Sequence, residues 1–296
     1  MRRDIGQINI KLDKDFRKQA NKLIRKYGDK MAELNGFAGK QLGYTEFIDN
    51  FVDKQTVADA SIDGNANVGT KDICSLLSEM NKPHSKLLAF NKIYYELKKK
   101  YGKQEANKWL QDEWVGRSYM HDAYSSSTKP YCYAYDIDPL VNKGLFFVDR
   151  FNAQPPKHLT TFTDFVGEFV SYTSNRTSGA CGLPSFLIYS FYFWKKDCES
   201  GYCISSPEYY RDQEFQRIIY KLNQPYLRVN QSAFTNFSIF DRPYLEALFG
   251  GKEYPDGSFI IDYIDDLIDY QKHFMEIVSK IRTENVMTFP VKVIAA

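Results

Sequence analysis

The side chains able to do chemistry in this sequence are few and unevenly placed. Five cysteines stand at Cys74, Cys132, Cys181, Cys198 and Cys203. An odd number, in a chain whose first residues (MRRDIGQINIKLDKDF) carry no apolar signal core, favours reduced thiols over a disulfide framework. Cys198 and Cys203 frame CESGYC, but a closed zinc site wants four N/S donors. Two thiols flanking a loop is therefore the preferred reading, with no metal assigned. Cys181, in the Gly-rich SGACG, reads as structural. Cys132 lies in YCYAYDI, where the residue alone reads as an inert buried thiol, since free cysteine is among the most buried residue types. His121 and Asp122 can orient one another beside a site or simply bond locally. Gln154-Pro155-Pro156-Lys157 opens a helix, and a lysine with exposed amides there suits an anion, although many such helix starts bind nothing.

These residues need elements to hold them. From about Leu12 to Leu34 the charged pattern predicts a solvent-facing helix with a weak apolar stripe, stopped by Asn35-Gly36. Ala60–Gly69 reads as a loop. Pro83 opens a helix along Leu87, Phe90, Tyr94, Leu97 and Tyr101, which Gly102 stops. Lys98, Lys99 and Lys100 in its last turn read as a solvated helix end. A shorter helix covers about Gln104–Trp114, and two such seams suit a helix-on-helix interface within or between subunits.

Alternation then predicts a strand over Tyr131–Ile137. Tyr131, Tyr133, Tyr135 and Ile137 form the face turned to helices, and Cys132, Ala134 and Asp136 form a small, polar face that suits an approaching ligand or is simply the solvent face of the strand. Further helices are expected at about Lys157–Tyr172, Pro184–Lys196, and Pro207–Leu222 with Ser206 as cap. A strand follows at Ala233–Phe240, then a helix capped by Asp241 and ended at Gly250-Gly251. Pro255-Asp256-Gly257 makes a turn. A long helix at Asp262–Arg282 carries Ile264, Leu267, Ile268, Phe274, Met275, Val278 and Ile281. The apolar strand Val286–Ala296 comes last, and either another segment pairs with its edge or the fold is incomplete. Strands alternating with helices place the chain in the α/β class.

A hydrophobic fraction of 43% and a charged fraction of 26% describe a folded, water-soluble chain. A net charge of +2 is too weak a field to call for nucleic acid or a membrane surface. No apolar run approaches the roughly 20 residues that span a bilayer, and a cytoplasmic location is expected. The 22 tyrosines and 22 phenylalanines suit base stacking or, more ordinarily, core and interface packing.

Three stretches are similar to one family: Tyr119–Asp136, Phe151–Gly182, and Asn223–Gly251 with the following helix and Thr288-Phe289-Pro290. Together they resemble the anaerobic (class III) ribonucleoside-triphosphate reductases, which are glycyl-radical enzymes. The resemblance implies part of a ten-stranded β/α barrel with long flanking helices. Residues 1–42 would be a charged helical extension, and 43–296 the N-terminal part of the barrel domain. It implies reduction of ribonucleotides to deoxyribonucleotides by a thiyl radical that a glycyl radical generates. Cys132 would be the hydrogen donor on the first barrel strand. His121, Asp122 and the segment Gln231, Ser232, Ala233 and Phe234 would lie on the substrate side; as residues alone, that segment is equally the start of a strand. Gln154 and Lys157 would meet an effector nucleotide at a homodimer interface.

The cofactors implied are a glycyl radical made by a radical-SAM activase, a C-terminal zinc site, and formate or a thiol system as reductant, none expected in this chain itself. The implied partners are ribonucleoside triphosphates, ATP or dNTP effectors, the activase and a C-terminal reductase part. The family's radical cysteine and glycine lie beyond Pro290, so a split or truncated reductase, inactive without its complement, is expected. The alternative is a non-catalytic nucleotide-binding or dimerisation module.

Overall fold

The computed structural model describes residues 11–28, 73–120, 131–146, 152–177, 179–203, 205–224, 227, 232–285, 287 and 289–295, the side chains of 73–84 excepted. They group into two compact units, one holding the described residues up to 120 and the other those from 131.

The first unit is helical. Helix α1 (Lys14–Tyr27) begins where the Asp13 carboxylate accepts the amides of Asp15 and Phe16, and ends at Gly28, whose φ is 84°. The stop expected at Asn35-Gly36 lies outside the described residues, and the helix itself already ends at Gly28. Nor is α1 merely solvent-facing. Phe16, Ala20 and Leu23, spaced four and three apart, are buried against Phe90, Tyr94, Ala106, Leu110 and Trp114. These partners belong to α2 (Ile73–Tyr101) and α3 (Lys103–Trp114). Pro83 does not open α2 but sits inside it; the loss of one amide donor does not end a helix this long. Lys98 also departs from the solvated reading, since its Nζ lies 2.6 Å from Asp13 and 3.3 Å from Asp15.

The second unit alternates strands and helices. In chain order it holds β1 (Tyr133–Ala134), α4 (Asp138–Lys143), α5 (Leu159–Ser174), β2 (Cys181–Gly182), α6 (Phe186–Glu199), α7 (Pro207–Leu222) and β3 (Thr235–Phe240). There follow α8 (Arg242–Phe249), a 3-10 turn (Ile260–Tyr263), α9 (Ile264–Glu284) and β4 (Val291–Ala295). The strands form a parallel sheet in the order β1-β2-β3-β4. Among the described residues it has four strands and is not closed. Ser206 and Asp241 cap α7 and α8 as their positions predict, accepting the amides of Tyr209 and Tyr244.

Residues in register across parallel strands share a sheet face. On one face Cys181, Thr235, Phe237 and Ile239 are buried, with Phe237 stacked on Phe186 of α6 at 4.1 Å and near Phe274 of α9 at 6.0 Å. The phenylalanines therefore serve as core: Phe162, Phe186, Phe193, Phe215, Phe237 and Phe274 join one cluster. Gln271 was invisible as a core residue because it is polar. It is buried, and its amide accepts from Phe240 N (2.9 Å) and donates to Phe240 O (3.0 Å), pinning α9 to the end of β3.

The opposite face carries Ala134, Asn236, Ser238, Val291 and Val293, all exposed or half-buried. Parallel sheets ordinarily have both faces covered; among the described residues this face is covered only at Phe240, at the end of β3. The expected strand Tyr131–Ile137 shrinks to two residues because Asp136 Oδ1 accepts the amide of Asp138 (3.0 Å) and turns the chain into α4. Its tyrosine side is only half buried: Tyr131 and Tyr133 are exposed, whereas Tyr135 packs edge-on to Phe169 and Ile137 is buried in the core. A strand at the sheet edge leaves such side chains beyond the cover of the helices. No helix among the described residues is long and apolar enough to cross a membrane.

Candidate functional site

Cys132 stands immediately before β1 and is exposed, which removes the reading of an inert buried thiol. Ala180 donates its amide to Cys132 Sγ at 3.4 Å, and Tyr133 donates its own to Ala180 O at 2.9 Å. Gly179 makes this approach possible. A Cβ there would come within 2.7 Å of Tyr131 O and 3.0 Å of the Cys132 sulfur. One strand further, a Cβ on Gly182 would meet Asn236 Oδ1 at 2.6 Å and Ala134 Cα at 3.5 Å. Gly179, Ala180 and Gly182 are thus the wall of the Cys132 site. Its glycines signalled close backbone approach, but which strand approached was not readable from the chain. Gly179, Ala180 and Asn236 were missed for that reason.

The register places Cys132, Ala180 and Phe234 one residue ahead of the paired positions in their strands, and Phe289 two ahead of Val291. Cys132 and the Ser232–Phe234 segment therefore meet the same end of the sheet, separated by β2. Cys181 N–H donates to Phe234 O at 2.8 Å, and Phe234 packs on Phe289 at 4.9 Å. Ser232 and Ala233 are buried. Cys181 itself points into the core, where burial pushes its thiol up to about 11 and Thr173 Oγ1 lies 3.2 Å away; it stays a protonated, structural thiol. His121, Asp122 and Gln231 lie outside the described residues.

Gln154 and Lys157 are both exposed and precede α5. Gln154 follows a bridge in which Leu145 and Ala153 exchange amide bonds of 3.1 and 2.9 Å. The helix begins at Leu159, and its first amide is already held: Leu159 N–H donates to Asp197 Oδ2 at 2.8 Å. The same buried carboxylate lies 2.7 Å from His158 Nδ1 and accepts the Tyr210 hydroxyl at 2.8 Å. His158 in turn stacks on Tyr202 with ring centroids 3.6 Å apart. Asp197, on α6, thus anchors the start of α5, joining residues no local pattern connects. Among the described residues no group of three or more His, Cys, Asp or Glu side chains is placed to hold a metal ion.

Comparison with known proteins bears on the whole arrangement. A family model described as anaerobic ribonucleoside-triphosphate reductase matches residues 79–296. No curated protein matches the chain. Among solved structures, the Thermotoga maritima anaerobic ribonucleotide reductase in complex with dATP and CTP is 36% identical with a TM-score of 0.83. That match covers 97% of this chain and 46% of the relative. The same enzyme with dATP bound in its specificity site matches over 98% of this chain and 46% of its own, at equal identity and score. A further structure, described as an anaerobic ribonucleotide reductase, is 38% identical with a TM-score of 0.84, over 97% of this chain and 45% of its own. The chain thus spans a little under half the length of the structures it matches.

Proposed function

The chain belongs to the anaerobic ribonucleoside-triphosphate reductase family, and on that premise we propose that it is the N-terminal part of a reductase converting ribonucleotides to deoxyribonucleotides. The observation that carries the reading is Cys132: an exposed thiol, held by the Ala180 amide on an open sheet face lined by small residues. In this reading the four strands are part of a ten-stranded barrel, and the uncovered face is its interior. The radical that opens the substrate's 3′ C–H bond is supplied by a glycine and a second cysteine of the C-terminal part, with a radical-SAM activase and a reductant.

The work of this chain is positioning and one hydrogen transfer. Cys132 keeps a hydrogen on Sγ, and Ala180 N–H fixes where that sulfur points. Gly179, Gly182 and Ala134 leave the space above it for a ribose. Ser232, Ala233 and Phe234, with Gln231, set the substrate-side wall at the same end of the sheet. His121 and Asp122 orient one another near it. Gln154 and Lys157 meet an effector nucleotide, at an interface between two copies of the chain.

The test is co-expression with a complementary C-terminal reductase part and activase, assayed anaerobically for deoxynucleotide formation. Activity is expected from the assembled parts and not from Cys132→Ser, which should keep its circular dichroism spectrum. A chain that binds dATP and dimerises yet never associates with any such complement would instead favour a nucleotide-binding module.

A further inference from the structure

We propose that Cys198 and Cys203 form a reversible dithiol–disulfide modification site at the end of α6, separate from the Cys132 site. The geometry rests on how the helix stops. Ser200 N–H closes on Lys196 O at 2.9 Å, and Gly201, with φ of 73°, reverses the chain. Tyr202 and Cys203 then both donate their amides to Asp197 O, at 3.0 and 3.3 Å. Cys203 is thereby folded back onto the residue next to Cys198, with its own thiol donating to Ser205 O at 3.1 Å. Nothing lies within 4 Å of the space beside Gly201, so the turn has room to adjust.

Access is one-sided. A groove of about 570 Å³ is lined by Gly201, Tyr202, Cys203, Ser205 and Tyr210. Cys203 lines it and Cys198 does not, though both thiols are half-buried; burial, then the neighbouring Cys203, pushes the Cys198 thiol up to about 12. This orders the chemistry. The Cys203 thiolate attacks a small disulfide such as oxidised glutathione, forming a mixed disulfide and releasing one glutathione thiolate. Cys198 then gives up its proton and attacks Cys203 Sγ, expelling the second glutathione. Two protein thiols are oxidised and one external disulfide is reduced to two thiols.

The closed ring would stiffen the turn that carries Tyr202, which stacks on His158, and would bear on Asp197, which holds the start of α5.

The test uses the full chain. It is equilibrated anaerobically in glutathione buffers of rising oxidised fraction, quenched with an alkylating agent and mapped by mass spectrometry. Cys198 and Cys203 fall in one tryptic peptide, residues 197–211. Both alkyl groups are expected to disappear together, with the loss of two hydrogen masses, and to return on reduction. Cys198→Ser and Cys203→Ser should each leave the remaining thiol as a glutathione adduct without that mass loss. The reduced wild type should also take up one phenylarsine oxide across the pair, and either serine variant none. Independent single glutathione adducts on wild-type Cys198 and Cys203, or no uptake of the arsenical, would overturn the proposal.

Discussion

Replacing Asp197 by alanine should unfasten α5 from α6. The carboxylate is 1% exposed and serves three partners: Leu159 N–H at 2.8 Å, His158 Nδ1 at 2.7 Å and the Tyr210 hydroxyl at 2.8 Å. Hydrogen bonds to a charged group contribute about 1.5–3 kcal/mol each. They do not add fully, because the partners of one acceptor relax together. Removing one member of a buried charged network typically costs about 3–5 kcal/mol, which is the expected loss for Asp197→Ala. At about 2–4 °C per kcal/mol for a domain of some 150–250 residues, the melting temperature should fall by about 6–20 °C.

Asp197→Asn keeps an oxygen for Leu159 or Tyr210 but turns an amide group towards another partner, so about half that loss is expected. Tyr210→Phe removes one donor and should cost about 1–2 kcal/mol. Urea unfolding followed by far-ultraviolet circular dichroism reads all three. An Asp197→Ala midpoint equivalent to less than about 1 kcal/mol would refute the claim that this carboxylate organises the helix start.

Three further outcomes follow from other sites. Gly144 combines a φ of 83° with a missing Cβ that would fall on the Ala153 carbonyl oxygen, so Gly144→Ala should cost more than about 2 kcal/mol. Gly201→Ala, at φ 73° but in open space, should cost only the backbone strain of about 1–2 kcal/mol; equal urea midpoints for the two variants would contradict the packing account. Glu214 is buried, and burial raises its carboxyl above the ordinary 4.5 despite Arg217 nearby. Its stabilising contribution is present below the unfolded value and lost as pH rises through the folded one, so Glu214→Gln should flatten stability between pH 4.5 and neutrality. Asp13 is the opposite case: burial opposes ionisation, but Lys98 and the amides of Phe16 and Asp15 outweigh it and lower its pKa below 3.8. Its contribution should persist above that value and vanish as pH falls through the folded one, and Asp13→Ala should lose about 1–2 kcal/mol of cap stability at neutral pH, read by thermal melts across pH.

Much of this protein was legible along the chain wherever the cause was local. Ser206-Pro207 and Asp241 start α7 and α8 because a side-chain oxygen meets an amide three residues on. Leu267, Phe274, Val278 and Ile281 share one side of α9 because helical periodicity puts them there. The combined stretches around Cys132, Cys181 and Phe234 resemble one reductase family, which the matches bear out. What needed the tertiary structure was every relation across strands and between helices. Parallel pairing is set by crossovers, so the chain alone could not place Ala180 N–H on Cys132 Sγ or show that Gly179 clears its space. Nor could periodicity mark polar residues as core: Gln271 and Asp197 are buried because distant backbone amides supply the hydrogen bonds that burial removes. Local chemistry dictated the elements, and long-range pairing decided which thiol stands open and which is sealed inside.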